Sequence, residues 1–397
     1  MAERVKHGPA DLAVFGGTPE FDSPLHVGRP NVPDPERVLK RIAGALESRR
    51  LTNFGPLVRE FEQAVAEVAG TRHCVATSNA TAALQVLVAA LGLRGEVIVP
   101  SFTYVATAHV LTWAGITPVF CDIDPDTGNL DPAEARRLVT PATSGILGVH
   151  VWGRQCAVES LRELAGEHGL ALLYDAAHAF GCGYRGRGIG TFGDGAVFSF
   201  HATKFVNAFE GGAIVTDDDA LADRVRALHF FGFDSDNHVI GAGINAKMSE
   251  ASGAMGLTSL EAMSTVRRIN AEHAERYVAE LADVPGILVG TPGPNEWNSH
   301  HFVVLEVDAD EAGLDRNRLA AALLAENVLT RRHFDPPCHR VEPYRSAPDR
   351  HVRRPLTRTD LVAGRIMQLP TGTGVTGDEV GRICRLIRML VEAAPLL

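Results

Sequence analysis

Between residues 73 and 216 the sequence alternates short apolar runs with stretches of helical periodicity. The runs are His73–Thr77, Glu96–Pro100, Thr117–Cys121, 145–151 and 170–175, then the pair 197–200 and 213–216. Several are nearly continuous in apolar residues, so both faces of such a strand must be covered. Strands of that kind, separated by helices, predict an α/β fold with a parallel sheet between helical layers. Ligands of such sheets bind beyond the carboxyl ends of the strands. Before this region, residues 1–35 read as an irregular Gly- and Pro-rich arm, followed by helices at 35–49 and 57–69. After about residue 265 the pattern changes. Helix 267–281, strand 300–307, helix 316–326, strand 328–330, a Pro-containing loop at 334–356 and helices 361–366 and 380–393 suggest a smaller α+β module. The expected division is 1–265 and 266–397.

The rule about carboxyl ends gathers the polar residues. Ser78 and Asn79, Ser101 with Tyr104, His150, Asp175 with His178, and Ser199 to Lys204 each follow a strand. Lys204 sits on the polar tip of a strand–turn–strand segment, Phe198-Ser-Phe-His-Ala-Thr-Lys204 to Glu210-Gly-Gly212. A lysine enclosed between buried strands loses its proton more readily than one in water, as an amine nucleophile requires. The alternative for this segment alone is a surface hairpin lysine. A carboxylate ending a buried strand, Asp175, must be paired or hydrogen-bonded to stay ionised. The helix opening at Ala80 and Thr81 offers free backbone N–H groups to an anion. Tyr104 offers an aromatic face. Together these are the parts that pyridoxal phosphate (PLP) needs: an amine, a partner for the pyridine nitrogen, a stacking surface and a phosphate cradle.

The formal net charge of −10, without basic clusters, argues against a nucleic-acid or anionic-membrane partner. The short basic stretches, 331–333 and 350–354, are local. The six cysteines are scattered without metal-ligand spacing, which suggests free thiols in a reducing cytoplasm and no metal site. The first residues carry no apolar signal-peptide core, and no apolar run is long enough to span a bilayer. No Gly-x-Gly-x-x-Gly strand–helix turn supports an NAD-dependent enzyme.

The segments Asp175-Ala-Ala-His-Ala-Phe-Gly181 and Phe198-Ser-Phe-His-Ala-Thr-Lys204 with Glu210-Gly-Gly212 resemble those of the DegT/DnrJ/StrS-type sugar-nucleotide aminotransferases. Gly55-Pro-Leu-Val-Arg-Glu-Phe-Glu62, Pro100-Ser-Phe-Thr-Tyr-Val-Ala-Thr107 and Asp122-Ile-Asp-Pro-Asp-Thr-Gly-Asn129 are similar to the same family. The likeness runs from about residue 14 to the last helix. With Thr330-Arg331 and Pro337-Cys-His339…Glu342-Pro-Tyr-Arg345, it is strongest to the 4-aminotransferases acting on dTDP-4-keto-6-deoxy-D-glucose. The resemblance implies a fold-type I PLP-dependent transferase: a large domain with a mostly parallel seven-stranded sheet and a smaller C-terminal α+β domain.

It also implies roles. Lys204 would carry the cofactor covalently and move the proton. Asp175 would pair with the pyridine nitrogen, Tyr104 would stack on the ring, and His178 would meet the ring hydroxyl. Ser199 and the amides at Ala80 and Thr81 would hold the phosphate, joined by Asn245 from a neighbouring subunit of a homodimer with a shared site. Asn207, Glu210, Arg331 and His339 are candidate substrate contacts. His178 stands where glutamine is common, and Lys247 where arginine is frequent. Lys204 itself separates this chain from relatives that carry histidine there and act as dehydratases. The expected reaction moves an amino group from L-glutamate to C4 of dTDP-4-keto-6-deoxyglucose, in deoxyaminosugar (antibiotic) biosynthesis. The alternatives are the same chemistry at C3 of a 3-keto isomer, and a PLP-binding regulator without turnover.

Overall fold

The computed structural model describes residues 6–397. Seven strands form the main sheet: β1 (His73–Thr77), β2 (Glu96–Pro100), β3 (Thr117–Cys121), β4 (Thr143–Val149), β5 (Ala171–Asp175), β6 (Gly195–Ser199) and β7 (Gly212–Thr216). Their spatial order is β1-β7-β6-β5-β4-β2-β3. β7 runs antiparallel to both neighbours, and every other pairing is parallel. The expected mostly parallel sheet is present. The carboxyl ends of β1 to β6 and the start of β7 therefore share one rim.

The period-2 pleat divides each apolar run between two cores. Leu172 and Tyr174 of β5 enter one core with Ile98, Ile146 and Phe198. Leu173 enters the other with Val97, Val99, Leu147 and Val197. Helix α1 (Ala80–Ala90) lies in that second layer and is apolar nearly all round, so it is buried rather than amphipathic. Helix α2 (Val105–Trp113) packs beside it.

A separate core lies around an antiparallel sheet of β8 (Ile287–Val289), β9 (Val303–Val307) and β10 (Ile366–Leu369). Helix α3 (Met263–Leu281) is continuous. It starts beside the main core at Val266 and ends in the smaller one at Tyr277 and Leu281, so a division at residue 265 falls inside one helix. The N-terminal arm also differs from expectation. Leu12, Phe21 and Leu25 fill the smaller core, and the two-residue strand Leu25–His26 pairs in parallel with Val328–Leu329. Conversely, Cys338, Tyr344 and Leu356 return to the main core beside α1. Apolar residues so sparse carry no period, and their partners lie hundreds of positions away.

The parallel pair leads both chains toward the rim, where Gly28 and Arg331 meet the same cavity. Among the described residues, no helix is long and apolar enough to cross a membrane, and no group of three or more His, Cys, Asp or Glu is placed to hold a metal ion. The six cysteines are free and buried.

Candidate active site

A cavity of about 360 Å³ opens at the rim, between the ends of the strands and the smaller module. Ala80, Thr81, Tyr104, Asp175, His178, Ser199, Lys204, Glu210 and Arg331, all singled out from sequence, line it. Its formation begins with the β6–β7 connection. Phe198 and Phe200 are buried, and Phe200 meets Phe61 and Phe180 edge-on with ring centroids 5.0 Å away in each case. With those rings fixed, the intervening polar residues turn toward the cavity. Phe200 N–H donates to Gly211 O at 2.8 Å, Ala208 N–H to Phe200 O at 2.8 Å, and Lys204 N–H to His201 O at 2.8 Å.

The start of β7 passes so close to α1 that a Cβ at Gly212 would lie 2.5 Å from Asn79 C and 2.6 Å from Ala80 N. Only glycine fits there, which leaves the α1 N-terminus open. Asn79 caps that helix, its Oδ1 accepting the Ala82 N–H at 2.8 Å. The remaining first-turn N–H groups are an anion site by dipole and by unmet donors.

Asp175, 6% exposed, ends β5. Its Oδ2 accepts from Thr107 Oγ1 at 2.8 Å and its Oδ1 from Ala177 N–H at 3.0 Å. Thr107 in turn bonds Thr103 Oγ1 at 2.8 Å. Burial pushes the carboxyl above its ordinary range, while the amide, the hydroxyl and the Lys204 cation oppose that shift. Lys204 answers with an amine lowered from 10.5 to about 8. Burial is the main cause; Asp175 opposes it and Arg331 reinforces it. The ammonium lies 5.8 Å from the centroid of Phe302. Burial and the charge of Lys204 hold His178 well below the ordinary imidazole range. Its Nδ1 accepts the Trp152 N–H at 3.4 Å, which puts its proton on Nε2.

The enclosed amine gives a pH prediction. In cofactor-free protein, acylation of Lys204 followed by mass spectrometry should have its midpoint near 8 rather than 10.5. Arg331→Gln should raise that midpoint, because a cation is removed; Asp175→Asn should lower it. A midpoint at 10.5 would show that the cavity does not desolvate the amine. The same shift makes the folded cofactor-free chain gain stability as pH rises from about 8 toward 10.5, because only the unfolded chain still binds that proton.

Several expected residues lie elsewhere. Asn207 is buried, with its Nδ2 on Asn31 O at 2.8 Å and its N–H on Ser259 Oγ at 3.1 Å, so it does not face the cavity. His339 is held by Ser101 Oγ at 2.7 Å and by Asp360 at 3.2 Å, outside the cavity lining. His150 is fully buried under the rim, 4.6 Å from the Tyr174 ring, and does not line the cavity. Asn245 is exposed away from it, accepting Lys247 Nζ at 2.7 Å; the Lys247 ammonium rests 4.3 Å from the Phe230 centroid.

The structure adds residues that sequence reasoning missed. Gly28, His301, Phe302, His333 and Phe334 complete the wall, and Thr107 supports Asp175. The His178 and Phe334 rings are stacked at 5.9 Å. Mainly through burial, the imidazole of His301 is lowered to about 3 and that of His333 to about 4, so both are neutral near pH 7. The short basic stretch at 331–333 was the one sequence signal for His333.

These residues fit PLP: an open helix N-terminus for a phosphate, an enclosed amine, a hydrogen-bonded carboxylate at the strand end and aromatic walls between them. Fold and site thus define a PLP-dependent enzyme with a fold-type I α/β architecture. The chain belongs to the DegT/DnrJ/EryC1/StrS aminotransferase family, whose model matches residues 34–388. It is therefore a sugar aminotransferase, and its cofactor is PLP. It is 34% identical over 316 residues to a dTDP-4-amino-4,6-dideoxy-D-glucose transaminase of Shigella dysenteriae, covering 80% of this chain and 86% of the relative. A structure of DesI in the presence of its TDP-sugar product superposes with a TM-score of 0.94 at 53% identity, covering 98% of each chain. A structure of S. venezuelae DesV in complex with a ketimine intermediate gives 0.82 at 31% identity, covering 89% of this chain and 94% of that one.

Proposed function

We propose that the protein transfers an amino group from L-glutamate to C4 of a dTDP-4-keto-6-deoxyhexose in deoxyaminosugar biosynthesis. The observation that carries transamination is Lys204, an amine tuned to about 8 in one cavity with Asp175 and the α1 N-terminus. The choice of C4 rests on the reaction named for the Shigella relative. Bound PLP supplies a ring that accepts electrons from the carbon losing its proton. Lys204 would hold the cofactor and would serve as the base and then the acid for that proton. Asp175, which Thr107 and Ala177 hold by donating to it, would pair with the pyridine nitrogen. Ala80, Thr81 and Ser199 would cradle the phosphate, Tyr104 would cover the ring, and the Nε2–H of His178 would meet the ring hydroxyl.

Arg331 enters the cavity without an ion-pair partner among the described residues, which suits the carboxylate of the donor or the diphosphate of the acceptor. Asn245 and Lys247 lie outside this cavity, a placement consistent with service to the site of a second copy in a homodimer. The division of the chain into a large PLP-binding and a small C-terminal domain is proposed with α3 as the shared element.

The test offers the holoenzyme L-glutamate with a panel of 4-keto and 3-keto nucleotide sugars and reads product regiochemistry by NMR. Amination at C4 of the 4-keto-6-deoxy substrate is expected. Amination only at C3 of the 3-keto isomer would overturn the assignment. Cofactor binding without conversion of any ketone would favour a regulator.

A further inference from the structure

The charges around Lys204 are unequal in kind. Lys204 and Arg331 are the cations, and His178, His301 and His333 are held neutral by burial and by those cations. Of the two carboxylates lining the cavity, Asp175 has both oxygens occupied by internal donors. Glu210 is the other. Its side chain is 65% exposed, and its one partner among the described residues is His201, Nε2 to Oε1 at 3.7 Å. The His201 ring is itself oriented, because its Nδ1 accepts the Thr203 N–H at 3.2 Å and so leaves the proton on the nitrogen facing Glu210. A carboxylate accepts about four hydrogen bonds, so most of this acceptor capacity is left open.

The backbone under Glu210 is fixed. Phe209 has a left-handed φ of 60°, and its N–H donates to Asn207 Oδ1 at 3.4 Å. Gly211 O accepts from Phe200, and Gly212 is pressed against the α1 N-terminus. Asn207 thus acts from behind, as the anchor of this turn. A carboxylate carried on a fixed backbone, with most of its acceptor sites open, matches two adjacent hydroxyl donors, that is, a vicinal diol.

Resting on the functional reading above, we propose that Glu210 is a specificity-determining residue that grips the C2–C3 diol of the acceptor sugar. A 4-ketone leaves adjacent hydroxyls at C2 and C3. A 3-ketone leaves hydroxyls only at C2 and C4, flanking the carbonyl, and cannot offer both to one carboxylate. Glu210 thereby selects the 4-keto isomer by chemistry as well as by shape.

The test compares holoenzyme and Glu210→Ala on the nucleotide-linked 4-keto-6-deoxyhexose and on its 3-deoxy analogue, with the cofactor band and thermal midpoint confirming a folded, loaded variant. Loss of a hydrogen bond to a charged group costs roughly tenfold or more. The wild type should therefore use the 3-deoxy analogue with KM raised about tenfold and kcat changed less. Glu210→Ala should show that penalty on the diol substrate and no further penalty on the analogue. Equal wild-type KM for the two sugars, or additive losses in the variant, overturns the role of Glu210 alone. Failure of the wild type to aminate any nucleotide-sugar ketone overturns the functional reading and this inference with it.

Discussion

Lys204→Ala should abolish the visible absorbance of the bound cofactor and lower turnover by about 10⁴-fold or more, since both the covalent anchor and the proton-transfer group are removed. The fold should survive. Among the described residues the Lys204 ammonium donates to no fixed acceptor and rests only near the Phe302 ring, so alanine orphans no buried donor or acceptor. Removing a desolvated cation relieves a cost, and the thermal midpoint of the cofactor-free variant should be no lower than that of the parent. Absorbance spectra with single-turnover assays of each half-reaction check this; retention of both signals would remove Lys204 from the chemistry.

Asp175→Asn should slow turnover by about 10²- to 10³-fold while leaving a cofactor band, because it removes the charge that stabilises a protonated ring nitrogen. The variant is not isosteric in hydrogen bonding. Thr107 and Ala177 both donate to Asp175, and an amide can accept from only one of them on its oxygen. Some loss of cofactor affinity is therefore expected beside the loss in kcat. The amine of Lys204 should also titrate lower, since the carboxylate that favours its charged form is gone. Normal kcat in this variant would show that Asp175 serves only the strand end.

The main sheet was legible because its information is local. A strand such as Ala171–Asp175 shows its two buried faces in its own residues, and the alternation from residue 73 to 216 leaves few topologies. The rim followed from connectivity alone, so Asp175, Ser199, Lys204 and the α1 N-terminus were placed together correctly. Two of the expected substrate contacts lie outside the cavity. Asn207, three residues from Lys204, turns inward to bond Asn31, while His339, eight residues from Arg331, is taken up by Ser101 and Asp360.

By itself, then, the sequence determined the sheet, the rim and the lysine on it, since apolar periodicity and strand order are properties of short segments. Only the tertiary structure decided which groups surround that lysine. His301, His333 and Arg331 arrive from the smaller module, Gly28 comes from the arm paired with Val328–Leu329, and Thr107 steadies Asp175 from 68 positions away. The protonation of Lys204 depends on that enclosure, because desolvation is a sum over neighbours that the chain brings together only when folded.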